Sequence, residues 1–241
     1  MATLVPEMPA DRPESLGGDL AGMGSFFVDP AGAAPHIFSK WFWIGPLLVF
    51  SIVSIVASYM MMPIVRHVAE VAPIPANVPA EQYQKQMEMG LKFQGILVYF
   101  APVIAAILFA VQAAILLGTS AVMSVPAKFR SLFNLVAGCS LIQLLASIAG
   151  LIIVKAKGDV STFAELRPAL GLDIFLPEGS NKFLTAFLGY FSVFEIWWLV
   201  MIVLIYGVAF RVSKGKAFAA VVPLMLLNII LRVATAVFAR Q

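Results

Sequence analysis

The sequence predicts an all-α polytopic membrane protein, a bundle of five transmembrane helices flanked by short interfacial helices. Three observations predict it. Hydrophobic residues make up 61% of the 241-residue chain and charged residues only 12%, about half the charged share of a soluble domain. Five apolar runs are long enough to cross a bilayer, which takes roughly 20 residues of helix. The basic residues gather in the connections between those runs, so the net charge of +3 reports topology rather than nucleic-acid binding. A soluble fold of this length could not hide so much apolar surface, so the solvent is lipid.

Residues 1–25 read as a disordered polar tail, and 26–241 as the transmembrane domain. The first 39 residues are rich in Pro and Gly and hold five acids. Nothing there resembles the basic, then apolar, pattern of a signal peptide. Asp29-Pro30 marks a helix start, with Asp as cap and Pro in the first turn. Phe26, Phe27, Ile37, Phe38, Trp41 and Trp43 suit a headgroup zone, which suggests an interfacial helix leading into the first span. That span covers about 41–65 and holds no charge; Pro46 sits near its start and Pro63 helps to end it.

The connection at 66–94 carries Pro73, Pro75 and Pro79. It then becomes an amphipathic pattern in which Tyr83, Met87 and Leu91 recur every four residues, so it extends the second helix or lies along the surface. The second span, about 95–118, contains Pro102, read as a kink. In the third, about 131–154, Ala137, Ser140, Gln143, Ser147 and Gly150 form one small and polar stripe. In lipid such a stripe is a helix-packing face; a pore lining is the competing reading. Thr162-Phe163-Ala164-Glu165 has the capping-box form, so a short helix is expected from Phe163 to near Pro168. The fourth span lies within 183–210. It is either one long helix from Phe183, or a shorter piece at 183–190 bent at Gly189 into a span proper that starts near Phe191. The fifth span covers about 217–239.

Orientation follows from the short loops. Residues 119–130 and 211–216 carry two and three basic residues and no acid, whereas 66–94 and 155–182 are balanced. Positive loops face the cytoplasm, which places the N-terminus inside and the C-terminus outside. Glu195 and Arg232 are then charges within spans, each costly in lipid. They fall toward one leaflet, where they form a structural pair, snorkel separately to the interface, or make with Asn228 and Gln143 a polar site for a ligand, a headgroup or a proton.

No motif for catalysis, cofactor binding or metal binding is present: no HExxH, GxSxG, CxxC or phosphate-binding glycine loop. His36 and His67 are far apart. The single cysteine, Cys139, lies inside an apolar run and has no partner for an intramolecular disulfide.

Four places together resemble the Yip (Ypt-interacting protein) domain family, and its bacterial branch above all, over about 26–235. Asp29-Pro30 with Trp43 and Pro46-Leu47-Leu48 is similar to the family's P-x-x-a and W-x-x-P-L-L patterns. Lys128-Phe129-Arg130 through Phe133 and Ala137 matches its F-k-x-x-f-x-x-v-a segment. Thr162-Phe163-Ala164 to Leu176-Pro177 resembles its t-n-L-a-x-L piece. Phe194-Glu195-Ile196-Trp197 and Arg211-Val212-Ser213-Lys214-Gly215-Lys216-Ala217 look like its D-l-F-x-x-W and s-k-x-k-A elements. The family's acidic residue falls on Ser192 here, with Glu195 carrying the acid instead. The eukaryotic D-x-Y-G-P signature is absent, and with it any transfer of small-GTPase and vesicle roles. The resemblance implies five spans and a bacterial inner membrane.

The expectation for function is a non-enzymatic interaction or accessory subunit that organises a membrane assembly or transporter complex. The bilayer and a membrane-protein partner are its expected partners, with a homo-oligomer possible and no nucleic acid. The alternative is a transporter or channel-like protein for a small or lipidic solute, using the polar site between the fourth and fifth helices.

Overall fold

The computed structural model describes residues 16–71, 74, 78–163, 165–177 and 179–238. Among them the chain is helical, with a single isolated β-bridge, Gly171 to Ser192. The N-terminal part holds α1 (Leu16–Gly22), α2 (Ser25–Val28), α3 (Pro30–Ala33) and a 3-10 turn at Ala34–Phe38. The long elements are α4 (Ile44–Val71), α5 (Ala80–Tyr99), α6 (Ala101–Val122) and α7 (Phe129–Lys157). A 3-10 turn at Leu172–Phe175 precedes α8 (Lys182–Tyr190), α9 (Val193–Ala209) and α10 (Lys214–Phe238). Four helices, α4, α6, α7 and α10, are long and apolar enough to cross a membrane; α9 is apolar but only 17 residues long.

The helices α6, α7, α9 and α10 close a ring in which each packs on two neighbours. Its interior is filled by Leu116 from α6, Leu135 and Ile142 from α7, Trp198, Ile202 and Tyr206 from α9, and Leu224 from α10. On α6 the buried residues are Ala105, Phe109, Ala113, Leu116 and Ser120, a stripe at helical spacing. Polar links cross the ring. Tyr206 and Ser120 hydroxyls lie 2.7 Å apart, and Thr119 Oγ1 donates to the Ala220 carbonyl at 2.9 Å. That carbonyl belongs to α10, three residues before Pro223, which sits inside the helix. The helix α4 packs outside the ring on α6 and α7, and α5 packs on α4 and α6.

Several expectations are corrected. The second helix breaks at Phe100, and Pro102 opens α6 instead of kinking a span; proline's missing N–H is harmless in a first turn. The long apolar helix is therefore Ala101–Val122, where the expected span was 95–118, and Gly95 to Tyr99 belong to α5. Pro63 lies inside α4, which continues to Val71. The half-buried face of α5 includes Tyr83, Met87 and Leu91, and the helix carries exposed Glu81–Lys85 and Glu88–Lys92 pairs. The segment after Thr162 forms turns, not a helix, with Ala164 outside the described residues. Pro73, Pro75 and Ala239 also lie outside them. Of the tail assigned to 1–25, residues 1–15 are outside the described set, and α1 occupies Leu16–Gly22.

The N-terminal aromatics are not a headgroup belt throughout. Phe26 and Ile37 are fully buried against α7 and α9, with Phe42 stacked on Phe26 at 4.9 Å between ring centroids. Asp29 does cap α3, accepting from the Ala31 and Gly32 N–H groups with Pro30 behind it. Asp19 accepts from Ser39 Oγ at 2.8 Å and lies 3.2 Å from His36 Nδ1. The strongest tie is Asn134 on α7, which is fully buried. Its Nδ2 donates to the Ile37 and Ser39 carbonyls at 2.9 and 2.7 Å, and its Oδ1 accepts from the Trp43 N–H at 3.2 Å.

Both short basic loops begin with a left-handed residue that is not glycine: Ser124 and Arg211, each at φ 54°. The Val125 N–H reaches back to Ser120 O and the Val212 N–H to Gly207 O, the hydrogen-bond pattern of a Schellman cap. A non-glycine residue there costs about 1–2 kcal/mol. Ser124→Gly is expected to stabilise the protein by about 1 kcal/mol, read as a raised unfolding midpoint in detergent.

The loop after α7 has its own clamp. The Ser161 N–H donates to Glu165 Oε2 at 2.9 Å, and Lys157 Nζ lies 3.2 Å from Glu165 Oε1. The Ser161 amide first, and Lys157 next, hold the Glu165 carboxyl below its ordinary range. A lowered folded-state value means stabilisation that is present above the unfolded value and lost as pH falls through the folded one. The loop at 158–168 should therefore exchange its amides faster as pH falls through the acidic range, once intrinsic exchange is corrected for. In Glu165→Gln that acid-side step should vanish.

Candidate functional site at the α8–α9 break

The fourth apolar run is two helices. Asn181 caps α8, its side chain accepting from the Phe183 N–H at 2.8 Å. The break falls at Phe191, φ −81° and ψ 58°, where the Ser192 N–H bonds to Tyr190 O at 2.8 Å. This is an inverse γ-turn, two residues beyond the expected bend at Gly189. Ser192 then caps α9, its Oγ accepting from the Glu195 N–H at 3.1 Å. Ser192-Val193-Phe194-Glu195 is a capping-box sequence. The same signal at Thr162–Glu165 opens no helix, whereas here, inside an apolar run, it does.

Glu195 is thus not in mid-helix. It stands in the first turn of α9, where the exposed backbone N–H groups and the helix dipole favour a carboxylate. Gln143 on α7 and Arg232 on α10 act on that carboxylate. Tyr190, 4% exposed, faces the same two charges. Arg232 is exposed and makes no ion pair with Glu195 among the described residues. Its guanidinium instead lies over Gly189, together with Asp173 from the 3-10 turn. A Cβ at Gly189 would meet Asp173 Oδ2 at 2.9 Å and Arg232 Nη2 at 3.2 Å. A larger residue there would push both side-chain ends aside. Asp173 Oδ1 is itself held by the Gly171 N–H at 3.0 Å, and the Gly171–Ser192 bridge ties the turn to the break.

Three buried side-chain atoms in this region have no hydrogen-bond partner among the described residues: Tyr190 Oη, Glu195 Oε2 and Trp198 Nε1. Trp198 lies one helical turn beyond Glu195, so the two share a face of α9. Each such group carries a desolvation cost of about 1–3 kcal/mol. Around Gly189 and the first turn of α9 the arrangement supplies acceptors from Glu195 and Asp173, a donor from Arg232, and groups able to do both in Tyr190 and Gln143. It suits binding of a small polar group. No cluster of three His, Cys, Asp or Glu side chains placed for a metal occurs among the described residues.

The structure brings Glu195, Arg232 and Gln143 together, as the sequence suggested. Asn228 is half-buried on α10 one turn before Arg232, with no polar partner among the described residues. Asp173, Tyr190 and Trp198 were missed. Asp173 sits in a loop of balanced charge, and an apolar helix gives no sign of which aromatic has a bare polar tip.

The small-residue stripe of α7 divides in two. Ala137 and Ser140 are buried in the ring, and Ser140 Oγ returns to Ala137 O. Gln143 turns to Glu195. Ser147 is exposed, and Gly150 faces Pro168 and Leu170 of the following loop.

Comparison with known proteins returns no match: no family model fits the chain, and no curated protein or solved structure is significantly similar to it.

Proposed function

We propose that this chain is a non-enzymatic integral membrane protein that works as an interaction or accessory subunit of a membrane assembly, through helix faces turned to the lipid. One observation carries the reading. In the most apolar stretch of α4 only 6% of the residues are buried within the protein, against 44% in α7, and Leu48, Ile52, Val56 and Met60 form an exposed stripe along it. The ring interior, by contrast, is filled by large side chains. In this proposal α9 is the fourth of five crossings. Its 17 residues reach the lower limit for a span, and its place in the ring puts it beside helices long enough to cross. An N-terminus inside, a C-terminus outside and a bacterial inner membrane belong to the same proposal, supported by the basic short loops and the motif resemblance to the Yip family.

Two experiments test it. Reporters at the two termini should lie on opposite sides; the same side would mean four crossings. A photo-crosslinker at Ile52 or Val56, activated in the native membrane, should give a discrete protein adduct. Adducts with lipid alone would reject the accessory role.

The polar site favours a second reading, handling of a small or lipidic solute, and the observation behind it is the trio of unpartnered atoms at Tyr190, Glu195 and Trp198. Under the accessory reading, the double variant Glu195→Gln, Arg232→Gln keeps the α4 adduct. Loss of function in a folded double variant whose adduct persists would shift the role to the polar site.

A further inference from the structure

The hairpin of α4 and α5 holds a cleft unrelated to the polar site. It has a volume of about 690 Å³ and is lined by Tyr59, Pro63, Arg66, Glu70, Lys92 and Tyr99, among others. The two tyrosine hydroxyls lie 2.9 Å apart and set the antiparallel register. In that register Gly95 faces Pro63, and Lys92 faces Arg66. A Cβ at Gly95 would meet nothing within 4 Å, so the cleft is open at its waist. A second cleft of about 250 Å³ opens where α5 passes into α6 and reaches deeper along α6, its α5 residues lying on a different face from those of the first. It is walled by Phe50, Leu97, Val98, Ile104 and Leu108 from three helices.

Depth orders these features. From Ile44 to Val65 α4 has no charge, and that length rises about 33 Å, matching the roughly 30 Å hydrocarbon core. Arg66 is the first charge beyond it, and Lys92 is the last before the next apolar run. The two cations therefore stand at headgroup depth. Arg66 forms no ion pair among the described residues, and Lys92 pairs only with exposed Glu88 on its own helix. Glu70 lies one turn farther out than Arg66.

We propose that this cleft binds an aminophospholipid, with its phosphodiester between Arg66 and Lys92 and its ammonium at Glu70. A guanidinium and an ammonium suit a phosphate oxyanion. The carboxylate outside them favours a headgroup with a terminal cation over one ending in hydroxyls. The proposal needs only the membrane location, not the accessory role.

The test uses the full chain in phosphatidylcholine vesicles that contain a minority of photoactivatable phosphatidylethanolamine or phosphatidylglycerol. The readout is labelling of the α4–α5 peptides. Phosphatidylethanolamine should label more strongly, and Arg66→Gln or Lys92→Gln should each lower its labelling about fivefold. Glu70→Gln should remove the preference over phosphatidylglycerol. Gly95→Trp, which fills open space, should block labelling while thermal unfolding stays unchanged. Lys85→Gln, outside the cleft, should change nothing. Labelling indifferent to Arg66, Lys92 and Gly95 would overturn the proposal. So would displacement by inorganic phosphate alone, which marks a free-anion site, or a preference for phosphatidylglycerol that Glu70→Gln does not alter.

Discussion

Asn134→Leu is expected to loosen the whole N-terminal cap and to destabilise the protein by about 3 kcal/mol or more. The side chain is fully buried and satisfies three backbone groups: the carbonyls of Ile37 and Ser39 and the N–H of Trp43. Leucine is similar in size and apolar, so it removes the partners without leaving a void. Each buried backbone group left unpaired costs about 1–3 kcal/mol. Part is recovered if residues 37–43 lift away and bond to water, and that lifting is the predicted phenotype. Amides of 25–43 should lose protection before those of the ring. Arg130→Gln is the control: Arg130 Nη2 reaches Phe38 O at 3.4 Å from an exposed position, and its loss should cost under about 0.5 kcal/mol. An Asn134→Leu protein as stable as the parent would show that the cap is held by apolar packing alone.

The second large effect is expected at Gly138, one helical turn along α7. A methyl group there would fall within the ring of Phe26, at its Cε1 and Cδ1 atoms. Phe26 is 0% exposed and stacked on Phe42, so the ring has nowhere to go. Gly138→Ala should cost about 1–3 kcal/mol by overpacking, although alanine is the better helix former by about 1 kcal/mol. The sign therefore separates a packed Phe26 from a loose one. Phe26→Leu makes room, so the double variant should be more stable than the sum of the single effects predicts, with a coupling on the order of 1 kcal/mol. Additive effects, or a stabilising Gly138→Ala, would place Phe26 away from α7. Unfolding midpoints of the four proteins in one detergent make the measurement.

The two predictions share a cause that sequence reading missed. Phe26, Ile37 and the Asp29 cap were recognised as an ordered approach to the first apolar helix, but amphipathic residues at that point suit a bilayer surface and a protein groove equally well. The choice was made by Gly138 and Asn134, more than 90 residues away in the chain. Nothing in the sequence sets Gly138 apart from the other small residues of α7 as the one that receives an aromatic ring. The groove exists only when α7 and α9 are side by side. Pro63 and Pro102 teach the same lesson at shorter range. A proline restricts its own turn, but whether it ends, opens or sits within a helix depends on what the neighbouring turns gain by packing.

At the polar site the legible part was the charge. Glu195 and Arg232 stood out because lipid makes any charge within an apolar run expensive, and Gln143 stood out as a polar residue among small ones. The break that makes Glu195 a first-turn residue was also written locally, in Ser192 and its spacing from Glu195. It was passed over because the surrounding residues are apolar. Asp173 could not be read, because it matters only through the fold-back of its loop onto Gly189, and nothing in an apolar run marks Tyr190 or Trp198 as a residue with a bare polar tip.

Composition and periodicity by themselves determined the class, the helical content, the lengths of the apolar segments and the basic short loops. These follow from one-dimensional terms: the transfer of side chains into lipid and the local hydrogen bonding of the backbone. Tertiary structure alone decided which helices form the ring, that α4 and α5 stand outside it, that the N-terminal aromatics are core, and which polar atoms converge. Those outcomes depend on close packing between residues distant in the chain. Such contacts fall off within a few ångströms, so no pattern along the sequence carries them.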